Sequence, residues 1–291
     1  MNAQDPAWKQ LQERLSKLES DLRMMLESTQ EDLQIARALQ SQLMPNRLPD
    51  ITGLQTQSRY ISALDLSSES YDLIPVHKNR ELWVLHTWTS NFGLSSVLLQ
   101  TLLHMKSAEL VKDAQSPEVE VVFDQLTEAL CGAQKKGSYR LMVAKLDLNK
   151  LLLTGVSAGQ APILLRKFEK GVLGDFSFIE PEGLIKNSKL LDRAPSHEPI
   201  SALRANRFSH QVAAGSRIFI VGREWNADST LENFAKPLGL QNILDPDKED
   251  SLLSNLNGLA MKMEDHIKTQ PRKSDVTVLG FEINPKVLHL A

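Results

Sequence analysis

LMVAKLDLNKLLLTGV, Leu141 to Val156, reads as two strands folded back on each other about a turn near Asn149. Strands joined by so short a link can pair only antiparallel, because a parallel pair needs a crossover of a dozen residues or more. Working outward, LWVLH (Leu82 to His86), RIFIV (Arg217 to Val221) and VTVLGF (Val276 to Phe281) are further short runs rich in β-branched residues and Leu. Helical patterns lie between them, from Leu94 to about Val111, from Glu118 to about Cys131, and from Ser251 to about Lys268. The expected class is α+β, with sheet packed on sheet or on helices rather than a doubly wound parallel sheet. No internal repeat is visible.

The N-terminal stretch is different. From Trp8 to about Met44 there is no Gly or Pro, and Gln, Glu, Lys, Arg, Leu and Met dominate, which predicts one long helix. Leu11, Leu15, Leu18, Leu22 and Met25 step by four and three residues, and Leu26, Thr29, Leu33, Ala36, Gln40 and Leu43 do so in a shifted phase. That is a coiled-coil seam with a discontinuity near Met25. The expectation is a parallel homodimer through Leu11, Leu15, Leu18, Leu22, Leu26, Leu33, Ala36 and Leu43; an amphipathic helix packed on its own domain is the alternative. Pro45 and Pro49 end the helix. The expected division is therefore residues 1–45 as a helical arm and residues 46–291 as the folded domain.

The bulk numbers exclude several functions. In 291 residues, an apolar content of 42% supports a substantial core, and a net charge of −3 offers nothing to nucleic acid or to an anionic membrane. Cys131 stands alone, so no internal disulfide or cysteine cluster can form, which fits a reducing, cytoplasmic compartment. The polar N-terminus does not read as a signal peptide, and no later run has the length of a membrane span.

No catalytic set emerges from motif spacing. GxSxG, the P-loop, HExxH and the dinucleotide fingerprint are all missing from the sequence. His77, His86, His104, His197, His210, His266 and His289 never fall at metal-ligand spacings, and each reads as structural or surface. Cys131 reads as an inert thiol near a helix end, and TQPRKSD as a solvated loop.

One stretch carries more. ARALQSQLMPNRLPDITGLQTQSRYISALDLSSESYD (Ala36 to Asp72) resembles the opening of the SpoIIE/RsbU-type branch of the bacterial protein phosphatase 2C-like (PPM) enzymes. Those begin A-R-x-I-Q-x-x-L-L-P and continue to A-x-R-Y-x-P-A and G-G-D-F-Y-D. SNFGLSSVLL (Ser90 to Leu99), SAGQAPILL (Ser157 to Leu165), GSRIFIVGREW (Gly215 to Trp225) and SDVTVL (Ser274 to Leu279) resemble the later motifs of the family, in the family's order. The resemblance covers about Ala36 to Ile283. It implies an α/β/β/α sandwich with two central antiparallel sheets, preceded here by the coiled-coil helix.

In that family, acids from four motifs hold paired Mn²⁺ or Mg²⁺ ions that activate a water. The matching positions here are Glu69, Trp88, Arg223 and Ser274, with Asp72 and Asp275 beside them. Three of the four acids are replaced. Arg223 among divalent ions at roughly 4 Å would cost about 4 kcal/mol per charge pair at an effective dielectric near 20, so metal binding is expected to fail. Arg223 is expected instead to pair with Glu69 or Asp275. Ser67 and Ser68 replace the paired glycines, and Phe92 and Gln160 replace the His of each Gly-His motif. Trp88, Phe92 and Trp225 are then either a cleft filled as core or part of a recognition surface.

The expectation from these departures is a pseudophosphatase, not an enzyme, without metal or cofactor. It would be a dimeric signalling and regulatory module that binds a protein partner of unknown identity. A phosphoprotein, or an antagonist-type regulator of the kind the family dephosphorylates, is the partner class implied. Two alternatives remain: a weak metal-dependent phosphoprotein phosphatase with one ion held by Glu69, Asp72 and Asp275, and a small-ligand domain using the relict cleft.

Overall fold

The structure, a computed structural model, describes residues 6–45, 47–61, 66–76, 80–89, 94–113, 117–133, 139–158, 163–179, 183–184, 205–222, 251–268 and 275–286. Among these residues the chain forms four helices and eleven strands. The helices are α1 (Pro6–Leu43), α2 (Leu94–Asp113), α3 (Val119–Ala133) and α4 (Leu252–Lys268). The strands are β1 (Leu54–Ile61), β2 (Glu69–Val76), β3 (Glu81–Thr89), β4 (Tyr139–Asp147), β5 (Leu152–Ala158), β6 (Ile163–Glu169), β7 (Val172–Phe178), β8 (Gly183–Leu184), β9 (Ala205–Gln211), β10 (Arg217–Gly222) and β11 (Val276–Ile283).

The hairpin read at Leu141 to Val156 is β4–β5, registered Leu146 opposite Leu153 and Met142 opposite Ser157. Asp147 Oδ1 accepts hydrogen bonds from the backbone N–H groups of Asn149 at 2.9 Å and Lys150 at 3.0 Å, which turns the chain locally before β5 starts. Every strand pair is antiparallel, in two sheets ordered β1-β11-β10-β6-β7 and β2-β3-β4-β5-β9-β8. This is the α+β sandwich expected.

Side-chain alternation assigns the layers. On β4, Met142, Ala144 and Leu146 face the other sheet and meet Leu165, Ile218, Ile220, Leu279 and Phe281. Leu141 and Val143 face outward, where Leu99 and Leu103 of α2 and Phe123, Leu126 and Leu130 of α3 cover them. On the opposite outer face, Phe219, Val221 and Val278 are covered by Leu256, Leu259 and Met263 of α4. Two buried arginines also anchor α4: Arg166 and Arg217, directly opposed on β6 and β10, donate to Asn255 Oδ1 at 3.0 and 2.7 Å. Within the second sheet Gly155 makes room for the ring of its cross-strand partner Phe208, from which a β-carbon would lie 2.1 Å away.

The helical arm divides near the discontinuity at Met25. Leu15, Leu18, Leu22, Met25 and Leu26 are more than half exposed. Beyond them Ala36 is fully buried, and with Leu33, Leu39 and Leu43 it packs against Leu66, Leu94 and Val97. The expected assignment of Leu33, Ala36 and Leu43 to a partner helix is therefore corrected: these three pack on the chain's own domain. The reason is the phase shift, which rotates the second apolar stripe toward α2. No described helix is long and apolar enough to cross a membrane.

Gln40 explains why the docked end is fixed. Its side-chain amide donates to Ser67 O at 2.9 Å and to Gln100 Oε1 at 2.9 Å, while its Oε1 accepts from Ser67 N at 2.8 Å. Gln40→Ala leaves a buried backbone donor and acceptor without these partners, and a loss of about 1–3 kcal/mol is expected in urea unfolding. A change below about 0.5 kcal/mol would show that water replaces the amide at no cost.

Candidate functional site

The two sheets converge where β2 begins and β11 begins. Asp275, the residue preceding β11, is buried, and its Oδ2 accepts from Ser68 N at 2.8 Å, Ser67 Oγ at 2.9 Å and Ser68 Oγ at 3.1 Å. Ser67 Oγ also donates to the Glu69 carbonyl at 2.6 Å, its single proton shared between that oxygen and Asp275, and accepts from Glu69 N at 2.9 Å. Ser67 and Ser68 thus bind an acid that precedes a strand of the other sheet.

Glu69, the first residue of β2, is 3% exposed. Its Oε2 accepts from the Thr277 hydroxyl at 2.6 Å and lies 3.8 Å from His86 Nε2, beyond hydrogen-bonding distance. Burial pushes its carboxyl above the usual carboxylate range; His86 and the Thr277 hydroxyl oppose that shift, and the nearby Asp275 adds to it. Gly222, at the end of β10, is required here: a β-carbon would sit 2.5 Å from Glu69 Oε2 and 2.8 Å from His86 Nε2.

Register places the neighbours. Glu69 is opposite Trp88, and Trp88 is opposite Arg140; in the adjacent row Tyr71, His86, Met142 and Ser157 follow one another across four strands. The Arg140 guanidinium lies over the Trp88 ring at 4.0 Å from its centroid. Glu69, His86, Trp88, Arg140, Met142 and Ser157 line a cleft with room for little more than a single water.

Of the positions singled out in the sequence, Glu69, Trp88 and Asp275 come together at this end of the sandwich. Asp72 does not. Three residues along β2 from Glu69, it points to the opposite face, where its Oδ2 meets His104 Nδ1 of α2 at 2.9 Å. The expected Glu69, Asp72 and Asp275 ligand set is corrected accordingly. Arg223, Ser274, Phe92, Gln160 and Trp225 lie outside the described residues, as do the Cys131 side chain and the pairing expected of Arg223. Arg140 was not singled out, since it sits alone in an apolar strand; His86 was read as structural or surface, and Ser157 and Thr277 lie in the quoted stretches SAGQAPILL and SDVTVL without being marked as site residues.

The implied metal pair can be tested against these donors. Among the described residues no group of three or more His, Cys, Asp and Glu side chains is arranged to hold an ion. Glu69 and Asp275 nevertheless bring two hard carboxylates to one place, and Mg²⁺ is commonly bound by one or two carboxylates, with waters and substrate phosphate completing its shell. The donor set suits one such ion rather than a pair.

No protein-family model and no curated protein matches the chain. Solved structures do. The SiaA PP2C domain of Pseudomonas aeruginosa is similar at a TM-score of 0.62 and 11% identity, over 90% of this chain and 98% of that one. The RsbU and RsbW domains of Rv1364c from Mycobacterium tuberculosis are similar at 0.54 and 15% identity, over 81% of this chain and 63% of that one, so this chain spans less than two thirds of that structure. The S. agalactiae serine/threonine phosphatase is similar at 0.54 and 7% identity, over 79% of this chain and 100% of that one.

The fold is that of the PP2C-type phosphatase domains. The expectation of a non-enzyme does not stand against this: the shared fold is that of phosphatases, the S. agalactiae serine/threonine phosphatase among them. Asp275, one residue after Ser274, is buried beside Glu69.

The Asp72–His104 pair lies on the other face of β2, and it has a pH signature. Its contact with Asp72 raises the His104 pKa above 6.5, while burial and Lys112 oppose the rise. A folded value above the unfolded one gives stability that is full below about pH 6.5 and fades as pH rises through the folded value. His104 is 41% exposed at its side chain, so the effect should stay below about 1 kcal/mol. Comparing unfolding midpoints at about pH 6 and pH 8, His104→Gln should flatten the decline seen in the native chain; equal slopes would show that the pair is solvated away.

Proposed function

We propose that this chain is a weak metal-dependent phosphoprotein phosphatase with an altered metal site. One observation carries the reading: Glu69 from one sheet and Asp275 from the other are buried together at the end of the sandwich, in a fold shared with phosphatases. A hard divalent cation held by these two acids would supply Lewis-acid polarisation of a water and of phosphoryl oxygens. The chain's own residues do the rest. Ser67 and Ser68 hold the Asp275 carboxylate in place, Thr277 orients Glu69, and Gly222 lets that carboxylate pass between the sheets. Trp88 and Met142 restrict water at the cleft. In the reaction water adds to phosphorus, the bond to the serine or threonine oxygen breaks, and that oxygen leaves with a proton.

The full chain should release phosphate from a phosphoserine peptide with Mn²⁺ or Mg²⁺, and Glu69→Gln and Asp275→Asn should each lower the rate by roughly 100-fold or more. No release above that of the two variants, at any concentration of either ion, sinks the reading.

The arm supports a homodimer in this reading. Leu15, Leu18, Leu22 and Leu26 repeat at helical spacing on a helix that carries them away from the domain, all more than half exposed. Pairing with a second copy would cover them. The partner acted upon is a phosphorylated signalling protein, and the single cysteine suits a cytoplasmic setting. A chain starting at Leu33 keeps the docked turns of α1 and should be monomeric by light scattering where the full chain is dimeric; equal subunit counts would rule out the arm.

A further inference from the structure

Glu69 is buried, yet among the described residues its side chain accepts a hydrogen bond from the Thr277 hydroxyl alone, on Oε2. A carboxylate offers about four acceptor sites, so that oxygen has a place for a second donor. Two neighbours lack partners of their own. His86 and Ser157 are each 5% exposed, and His86 Nε2 and Ser157 Oγ make no hydrogen bond among the described residues. Buried polar side-chain atoms are nearly always paired, either with protein or with ordered water. All three groups line one cleft, which has room for a single water and little more. A polar cavity of that size holds a water when two to four polar groups surround it.

The strands set the three groups around that space. His86 on β3 is opposite Met142 on β4, and Met142 is opposite Ser157 on β5, so imidazole and hydroxyl flank Met142 on one face of the sheet. Glu69 on β2 is opposite Trp88, two residues from His86, which makes Glu69 and His86 diagonal neighbours. Their Oε2 and Nε2 atoms are 3.8 Å apart, too far for a direct bond. Two hydrogen bonds of about 2.8 Å meeting near a right angle at one oxygen span roughly 4 Å. Gly222 keeps the pair uncrowded, since a β-carbon on it would lie 2.5 Å from Glu69 Oε2 and 2.8 Å from His86 Nε2.

We propose that one buried water joins His86 Nε2 and Ser157 Oγ to Glu69 Oε2, and that His86 and Ser157 are thereby positioning residues for this carboxylate. The water donates to Glu69, accepts from the Ser157 hydroxyl and closes on His86. Thr277 holds Glu69 from the other sheet, and the water ties it to β3 and β5 of its own. Partners that orient a ligating carboxylate in this way typically change metal affinity by roughly 10–100-fold when removed. That consequence rests on the phosphatase reading, in which Glu69 holds a divalent cation; the water itself does not.

Two measurements on the full chain test the proposal. A high-resolution crystal structure should show one oxygen within about 3.2 Å of His86 Nε2, Ser157 Oγ and Glu69 Oε2. A cleft closed by a direct His86–Glu69 bond overturns the water, as does a density peak with bonds near 2.1 Å, which would be a cation. Calorimetry with Mn²⁺ reads the positioning. His86→Leu should weaken Mn²⁺ binding by roughly tenfold or more, Ser157→Ala should weaken it severalfold, and His86→Gln, whose amide can still meet the water, should recover most of the loss. Equal Mn²⁺ affinity in the native chain and His86→Leu overturns the positioning role; should His86→Leu show no cooperative melting without metal, native affinity in Ser157→Ala overturns it instead. A native chain that binds no Mn²⁺ while the water is present sinks the phosphatase reading and leaves the bridge standing.

Discussion

Three donors from Ser67 and Ser68 converge on one oxygen of Asp275, and the geometry of the whole site depends on that knot. It joins the start of β2 in one sheet to the start of β11 in the other, across a gap that elsewhere is filled by apolar side chains with no directional preference. Apolar packing sets how far apart the sheets lie, but not their register along the strands. Hydrogen bonds to a buried charge do, because a misplaced carboxylate would lose partners worth roughly 1.5–3 kcal/mol each. Glu69 then falls against Thr277 as a consequence, two residues along from Asp275 on one strand and one residue from Ser68 on the other.

The knot reaches the arm through Gln40. Ser67 is held at its backbone by the Gln40 amide and at its side chain by Asp275, so the last turns of α1, the Ser67–Ser68 turn and the acid pair form one continuous polar chain inside the domain. Gln100 of α2 closes it on the helical side, with its own Oε1 accepting from Gln40. Each member is buried, and apart from the Gln40–Gln100 bond each of these bonds runs to a main-chain or charged partner, which makes partial disruption costly.

What could be read from the sequence follows from how strongly each signal depends on local context. The β4–β5 hairpin and the strands β3, β10 and β11 were legible because both faces of each are buried, so apolar residues run almost without a break. The polar strands were not: β1 reads LQTQSRYI and β2 carries Glu69, Asp72 and Pro75, so neither shows an unbroken apolar run. At the site, Glu69 and Asp275 stood out as acids near family motifs. His86 and Arg140 could not, since nothing within a strand announces which residue will lie opposite it. The arm showed the same limit, because Gln40 occupies a seam position by spacing while its partner is a loop 27 residues away. A phase shift says that the stripe rotates, and only the folded domain says toward what.

The hydroxyls of Ser67 and Ser68 bear on how the proposed site would work. Glycines at positions 67 and 68 would remove the two hydroxyls from Asp275 and keep the backbone donor of residue 68, and the carboxylate would then favour a cation more. With two hydroxyls added, the carboxylate is already satisfied when no ion is present, and an entering cation must compete with hydrogen bonds to a charged acceptor. Burial acts in the same direction at Glu69, whose carboxyl is held above its ordinary pKa, so a cation must also displace a proton there at lower pH. Both effects weaken the ion without removing it. An altered site of this kind would turn over slowly at low metal and respond as metal rises.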